Sequence, residues 1–433
     1  MRRTEGHGGH RRGGGIAALA VATVLLPLVA GCGGSHDDAA APDAKGTRAP
    51  AGQQGGSKSA DKGSGDLPDK GVIVTASCSV PASNPARVTV TGWDPTTWKR
   101  TLSRTFTVPA EAVVAEAEDV ASPLVELCAD NFPVAGTSDD GPRAVAATRL
   151  RQLFDKDFSR MAVVLIDRET EATGVGYVDT SGKLTRLSGE QGEDFGDAPR
   201  EENAVFAQDG SAVWFTETDS SDRVRIASRS VSGDHAATEQ GSGDGRYLDE
   251  AGLALAGDPI RGLFGKEVRV SHDGRRATIF ITGQGFSVAD VPQRSALFKV
   301  GGAKATGILY EADCYPYGWV DDVTVLCGPR LDEAEDPERR NSFWTLDTSR
   351  LDGTADLPKG AKGALGDPII PATDRKNTVR AISADRKQLI FASLQGTRLE
   401  FFVSAIAPGA SPKKITAGGA DKALGVGDVL EWR

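Results

Sequence analysis

Short apolar runs, each broken by a polar turn carrying an aspartate and resumed as a second apolar run, recur along most of this chain. The pattern reads Leu153-Phe154-Asp155-Lys156-Asp157 followed by Met161 to Ile166, then Val205-Phe206-Ala207-Gln208-Asp209-Gly210 followed by Ala212 to Phe215. It returns as Val268 to Gly274 with Ala277 to Ile281, as Tyr317 to Asp322 with Val323 to Cys327, and as Ala381 to Asp385 with Leu389 to Ala392. The turn aspartates Asp157, Asp209, Asp273, Asp321 and Asp385 stand 52, 64, 48 and 64 residues apart. Asp-Gly between apolar runs marks a hairpin, because both residues tolerate positive φ. Further apolar runs complete four-stranded units: Gly176 to Asp179 with Leu184 to Leu187, Ala296 to Val300 with Gly307 to Tyr310, Phe343 to Asp347 leading towards Leu357, and Leu399 to Ile406 with Lys414 to Thr416. Five such units fill residues 149 to 416. A sixth is split: Val72 to Cys78, Arg87 to Trp93 and Leu102 to Val108 read as second, third and fourth strands, and Leu424 to Val429 supplies the missing first one. Joining the two ends removes two sheet edges that would otherwise invite aggregation. The Ala-, Val- and Glu-rich stretch 110–128 reads as a helical insertion.

Strand units at this spacing predict a propeller. The turns Ala207-Gln208-Asp209-Gly210 and Val270-Ser271-His272-Asp273-Gly274 resemble the repeat of TolB-type, WD40-like propellers, in which Ser-Pro-Asp-Gly precedes an apolar strand. The proline is missing from all five copies, and the glycine from the first, fourth and fifth. The expected fold is therefore all-β: a six-bladed β-propeller over residues 71–433, closed by the C-terminal strand. One fold hosts many functions, so the resemblance implies an architecture and no activity.

The start of the chain has a different character. Arg2, Arg3, Arg11 and Arg12 precede an uncharged run from Ile16 to Ala30. A membrane-spanning helix needs roughly 20 apolar residues, so this run has the length of a signal-peptide core instead. Val29-Ala30-Gly31-Cys32 follows at once and resembles the bacterial lipobox. The resemblance implies that residues 1–31 are removed and that the Cys32 thiol carries a diacylglyceryl group. The arginine pairs are followed by glycines rather than an apolar stretch, which leaves the export route open. Residues 32–70 lack aromatics and are rich in Gly, Ala, Ser, Asp and Lys. Such a segment buries too little apolar surface to order itself and reads as a tether with a reach of about 30–35 Å.

The chain carries 50 Lys and Arg against 60 Asp and Glu, a net −10. Without residues 1–31 the count is 46 against 59, a net −13. That charge argues against nucleic acid as a partner. It also argues against electrostatic membrane binding, so the membrane tie is expected through the lipid on Cys32, at the outer face of the cell membrane. Four cysteines follow Cys32, an even number that predicts two disulfides in an exported protein. Cys314 and Cys327 lie symmetrically about the expected turn at Val320-Asp321, and Cys78 with Cys128 follows by elimination. A zinc site is the weaker reading, for lack of C-x-x-C spacing and of histidine.

Little in the sequence points to catalysis. There is no G-x-S-x-G elbow, Walker loop or dinucleotide fingerprint. His235 and His272 sit at polar turns, where solvated histidines are common. The clusters Asp139-Asp140, Asp219 to Asp222 and Asp332 to Asp336 lack calcium-loop spacing. Trp214, Trp319 and Trp344 fall inside apolar strands, whereas Trp93 and Trp98 flank a turn and are the more exposed aromatic candidates. No catalytic residue, metal or cofactor is therefore assigned.

The long connections 109–148, 241–266, 283–294, 328–341 and 359–377 fall on one rim of the expected ring, and binding usually resides on such loops. Phe286 and Val288 are read as apolar anchors and Arg330, Arg339 and Arg340 as polar contacts. The function expected is a binding or scaffolding module for a protein or envelope ligand. The alternative is a propeller enzyme, of hydrolase or lactonase type, with its site at the channel mouth.

If Cys32 is the lipidated residue, Cys32→Ser leaves the precursor without a thioether. Metabolic labelling with palmitate then gives a labelled wild type and an unlabelled variant. Label retained by the variant would place the lipid elsewhere.

Overall fold

The structure, a computed structural model, describes residues 68, 70–81, 85–115, 120–129, 148–189, 200–207, 209–218, 223–244, 266–271, 273, 275–281, 285–290, 314–328, 339–350 and 364–433. The signal segment, Cys32, the tether, the runs 296–300 and 307–310, Arg330, His272 and the three acidic clusters lie outside them. Strands β1 (Ile73–Ser79), β2 (Arg87–Trp93) and β3 (Arg100–Thr107) form an antiparallel sheet. Helices α1 (Pro123–Ala129) and α2 (Thr148–Gln152) follow, then a second sheet of β4 (Arg160–Ile166), β5 (Thr173–Asp179) and β6 (Leu184–Arg186). The third holds β7 (Arg200–Phe206), β8 (Ala212–Thr218), β9 (Arg223–Ser230) and β10 (Ala237–Asp244). The fourth holds β11 (Lys266–Val270), β12 (Arg276–Ile281) and β13 (Gly285–Asp290), and the fifth β14 (Tyr315–Trp319), β15 (Thr324–Gly328) and β16 (Trp344–Asp347). The last holds β17 (Lys376–Ile382), β18 (Gln388–Gln395), β19 (Arg398–Ala405) and β20 (Lys413–Lys414). Helix α3 (Ala420–Gly425) leads to β21 (Asp428–Trp432), which returns to pair with β1.

Side chains alternate between faces along a strand, and here both faces are buried. In β4, Met161, Val163 and Leu165 pack in a cluster with Val74, Phe106 and Leu127, while Ala162, Val164 and Ile166 pack with Phe206, Val213 and Phe215 of the third sheet. In β18, Ile390 and Ala392 join Ile73 and Val429, and Leu389 and Phe391 join Tyr317, Leu326 and Phe343. The sheets therefore stack face to face: the fifth on the last, the last on the first, the first on the second, the second on the third. The fourth meets the fifth through a 2.8 Å bond from Trp319 Nε1 to the Arg269 carbonyl. Both expected disulfides are present, Cys78–Cys128 and Cys314–Cys327.

The hairpin turns share one device. Ser271 and Ser383 donate their hydroxyls to Asp273 and Asp385 at 2.7 and 2.6 Å, and each of these carboxylates accepts the amide two residues on, from Arg275 and Lys387. Asp209 does the same for the hydroxyl and amide of Ser211. These bonds favour the charged form, so Asp209 and Asp385 are held below the ordinary aspartate range, chiefly by the Ser211 and Ser383 hydroxyls.

Three expectations are corrected. The stretch 110–128 is not one helix: α1 begins only at Pro123, a residue suited to a first helical turn, and Ala112 forms a bridge to Leu165 instead. The run Leu153–Asp157 is not a full strand. α2 ends at Gln152, and Phe154 makes a single bridge to Met161, because the Arg151 guanidinium takes the carbonyls of Phe154 and Asp155. The first-strand position of the second sheet is thus shared by two pieces of chain. At the C-terminus, Leu424 and Gly425 end α3, whose Ala420, Ala423 and Leu424 are buried, and the pairing strand starts at Asp428. Gly427 makes the change of direction: a Cβ there would lie 2.4 Å from the Ala76 carbonyl oxygen.

β21 is clasped from the side. Glu431 accepts from Arg151 at 2.6 Å and from Arg433, and both guanidiniums lie over the Phe158 ring, at 4.2 and 5.3 Å. Glu431→Ala would leave two half-buried cations without their shared carboxylate. The expected cost is about 2 kcal/mol by urea denaturation, with Glu169→Ala, on an exposed turn, within about 0.5 kcal/mol of wild type. Unchanged stability in Glu431→Ala would show that the clasp does not hold β21.

Candidate binding surface

Two chain segments meet where β16 and β17 begin, and their backbone groups are satisfied by each other. Thr373 donates its amide to the Arg340 carbonyl at 3.1 Å, and Ile369 donates to Phe343 at 2.6 Å. The Ser342 hydroxyl, fully buried, donates to the Ile370 carbonyl. Asn341 sits in the left-handed region at φ 53°, a conformation its short polar side chain accommodates. Its Nδ2 donates to the Thr373 carbonyl at 2.9 Å, and its own carbonyl accepts from Asn377 Nδ2 at 2.6 Å. Side-chain bonds of this kind give backbone groups the partners that a sheet ladder would otherwise supply.

This stitched platform presents charge outward. Arg340 and Asp374 form a 3.4 Å pair whose side chains are 62% and 83% exposed. Arg339 lies 5.3 Å over the buried Trp344 ring. Arg375 is drawn inward, to Glu400 at 2.6 Å and Ser393 Oγ at 2.7 Å, over the face of Phe402. Asn377 is 6% exposed, and its Oδ1 has no hydrogen-bond partner among the described residues.

Of the residues singled out from the sequence, Arg339 and Arg340 belong to this platform. Phe286 and Val288 do not lie in a loop: their Phe-Ser-Val-Ala alternation forms β13, where they stand in register with Phe280 and Thr278. Trp98 is buried, 4% exposed, against α3 and Phe401 rather than exposed at its turn, and Trp93 donates Nε1 to Thr75 Oγ1 at 2.9 Å. Trp319 and Trp344 are core residues. His235 is half-buried, with Nδ1 2.7 Å from the Ser230 carbonyl. Among the described residues, no three His, Cys, Asp or Glu side chains converge as metal ligands.

One polar centre escaped the sequence reading. Glu201 on β7 is 4% exposed, opposite the equally buried Glu217 on β8. Arg229 binds one Glu201 oxygen at 2.6 Å; the Ser188 hydroxyl and the Val175 amide bind the other. Glu217 is paired to Arg225. Beside them the strand bulges between Glu202 and Val205, with Asn203 at φ 57°. Burial raises the Glu201 carboxyl above the usual range against the opposing pull of Arg229. The available signal was the polar run Arg200-Glu201-Glu202-Asn203 opening an otherwise apolar strand.

No family model and no curated protein sequence matches the chain. Solved structures similar to it include TolB from Acinetobacter baumannii, at 13% identity over 80% of each chain and a TM-score of 0.29. Prolyl oligopeptidase B from Galerina marginata is similar at 11% identity over 79% of this chain, with a TM-score of 0.38, and this chain spans 44% of that one. An oligogalacturonate lyase in complex with manganese is similar at 10% identity over 80% of this chain and 74% of that one, with a TM-score of 0.34.

The Glu201 site sets a pH dependence of defined sign. An unfolded glutamate titrates near 4.3, and the folded chain holds this proton to higher pH. Folded stability therefore falls as pH rises through that window. Glu201→Gln removes this contribution, so its stability should improve relative to wild type as pH rises above about 4.3. Urea denaturation at stepped pH checks it; a constant difference across the range would mean that the Glu201 carboxyl titrates alike in the folded and unfolded chain.

Proposed function

We propose that this chain is a lipid-anchored, extracytoplasmic binding or scaffolding module: a six-bladed, TolB-like β-propeller held by the lipid on Cys32, with a protein or envelope ligand. The propeller reading is supported by six antiparallel sheets in chain order, by the face-to-face seams between successive sheets, and by the pairing of β21 with β1. In that arrangement the platform at Arg339, Arg340 and Asp374 lies on the rim that carries the long connections.

The binding reading rests on one observation. The exposed Arg340–Asp374 pair stands on a loop whose backbone is already fixed by Asn341, Ser342 and Asn377. Charge held in place before the partner arrives lowers the ordering cost of binding and gives directional selectivity. Arg340→Glu places two acids side by side on that surface. Crosslinking in the intact envelope followed by capture is expected to retain the wild-type partner about threefold to tenfold less in this variant, with the melting temperature within about 2 °C of wild type. Equal capture by both would remove the platform from the interface. Turnover of an ester, lactone or glycan by purified wild-type protein would replace the binding reading with the enzyme one.

A further inference from the structure

The last sheet and α3 depart from the charge of the rest of the chain. Residues 374–422 hold nine Lys and Arg against four Asp and Glu, a net +5, while the remainder of the chain after residue 31 carries −18. Four of the nine, Arg375, Arg398, Lys413 and Lys414, gather at the outer edge, whereas Arg380 is buried on β17 and Arg386 and Lys387 stand at the β17–β18 turn. Glu400, its side chain 10% exposed, is bound by three of them: Lys414 Nζ at 2.6 Å, Arg375 at 2.6 Å and Arg398 at 2.8 Å. One carboxylate among three cations leaves two positive charges uncompensated. The Lys414 ammonium, followed by Arg375, holds Glu400 below the ordinary carboxylate range, so this arrangement persists in mild acid. Lys413 stands beside Lys414, both exposed. The apolar cluster on the face of this edge turned toward the first sheet contains Trp98 together with Leu399, Phe401 and Ile415, and the exposed Lys99 and Arg100 follow Trp98 in the chain. Leu399, Val403 and Ile415 are only half-buried on this face, and Phe402, also half-buried, lies on the opposite face beneath Arg375. The acids nearby are Asp94, whose carboxylate accepts the amides and hydroxyl of its own turn, and the exposed Asp421.

We propose that this edge is a docking surface for anionic lipid headgroups, on which the lipid-anchored protein rests. The proposal depends on the lipoprotein reading for its proximity to a bilayer. Cations interleaved with half-buried apolar side chains match the chemistry of a membrane interface, where basic side chains pair with phosphates and apolar ones reach the acyl boundary. The acidic remainder of the chain is repelled by the same surface, so contact at this edge also orients the molecule. An acidic protein partner would use the charge without needing the apolar rows.

The test uses the lipidated full-length product reconstituted in vesicles of phosphatidylcholine alone or mixed with phosphatidylglycerol. Lysines are acylated with a water-soluble ester and their rates read by mass spectrometry. Lys413, Lys414 and Lys99 are expected to react about threefold more slowly on the anionic vesicles, the difference vanishing at high salt, while Lys156 and Lys183 react equally on both. Equal rates at Lys413 and Lys414 on the two vesicles overturn the proposal. So does equal protection by soluble polyglutamate, which would assign the edge to an acidic peptide. The mass of the Cys32 peptide tests the anchor separately. If Cys32 is unmodified, co-sedimentation of the unanchored chain with anionic but not neutral vesicles still decides the docking surface, and Lys99→Glu with Lys413→Glu should abolish it.

Discussion

The last strand of this protein pairs with its first, and the sheet so formed depends on both ends of the chain. Thr75 stands opposite Val429 and Ile73 opposite Trp432, and the pairing continues where Arg433 exchanges backbone bonds with Gly71 and Val72 at 2.7 and 2.9 Å. Without β21, the β1 edge would present unpaired N–H and C=O groups. Ile73 would also lose the apolar neighbours it shares with Val429, Ala423 and Ile390. The dependence reaches further, because Arg380 of β17, only 3% exposed, donates to the carbonyls of Leu424 and Gly427. The bend that delivers β21 is thereby fixed from the neighbouring sheet. Close approach at Gly427 and a buried guanidinium at Arg380 together place a five-residue strand.

Arginines pin strands to one another within sheets and, at Arg160, one sheet to the next. Arg160 binds Asp155 at 2.9 Å and the Gly210 carbonyl at 3.0 Å while lying over Tyr177 and Phe206. Arg229 binds Glu201 over Phe215, and Arg375 binds Glu400 over Phe402. In each case the flat face of the guanidinium covers a ring and its edge meets an acceptor, a combination an ammonium cannot offer. A seam built of apolar contacts alone would tolerate sliding of one sheet on the next. A guanidinium held by a carboxylate on one element and a carbonyl on another has one satisfactory position, and loss of either partner leaves a charge in a poorly solvated place.

Most of the strands and nearly all the turns were legible in the sequence because both obey short-range rules. Unbroken apolar runs specify β4, β8 and β18, and a side-chain oxygen reaching an amide two residues on specifies the turns at Asp209, Asp273 and Asp385. The misreadings fall where long-range contacts override local pattern. Leu153-Phe154-Asp155 looks like a strand, but Arg151 captures its carbonyls and half its place in the sheet goes to Ala112. Leu424 looks like a strand residue, but its apolar neighbours at Ala420 and Ala423 share one helical face. Phe286 and Val288 were assigned to a loop because the apolar run after them looked like the next strand, although their own alternation already encoded β13. The platform was only half legible. Arg339 and Arg340 stood out as charge in a long connection, but Asn341 and Asn377 matter through bonds to carbonyls 32 and 36 residues away, which no local pattern records.

The same accounting bears on what the molecule can do. The buried or nearly buried carboxylates among the described residues are already committed. Glu201 has one oxygen on Arg229 and the other on Ser188 and Val175, Glu217 is held by Arg225, and Asp155 binds Ser159 and Arg160. A general acid or base must exchange its proton with a substrate within hydrogen-bond reach. Glu201, with both oxygens engaged, could do so only by releasing Ser188 and Val175, which join its sheet to the one before it. Glu201 has the raised proton affinity often found at reactive sites, yet desolvation accounts for it, and its partners are those of a seam. Exposed charge stands instead at the Arg340–Asp374 pair, on a loop fixed in place, and along the cationic edge around Glu400. Neither arrangement supplies a nucleophile poised against a base. Both supply charge in a fixed geometry, which suits selection of a partner and orientation at a surface.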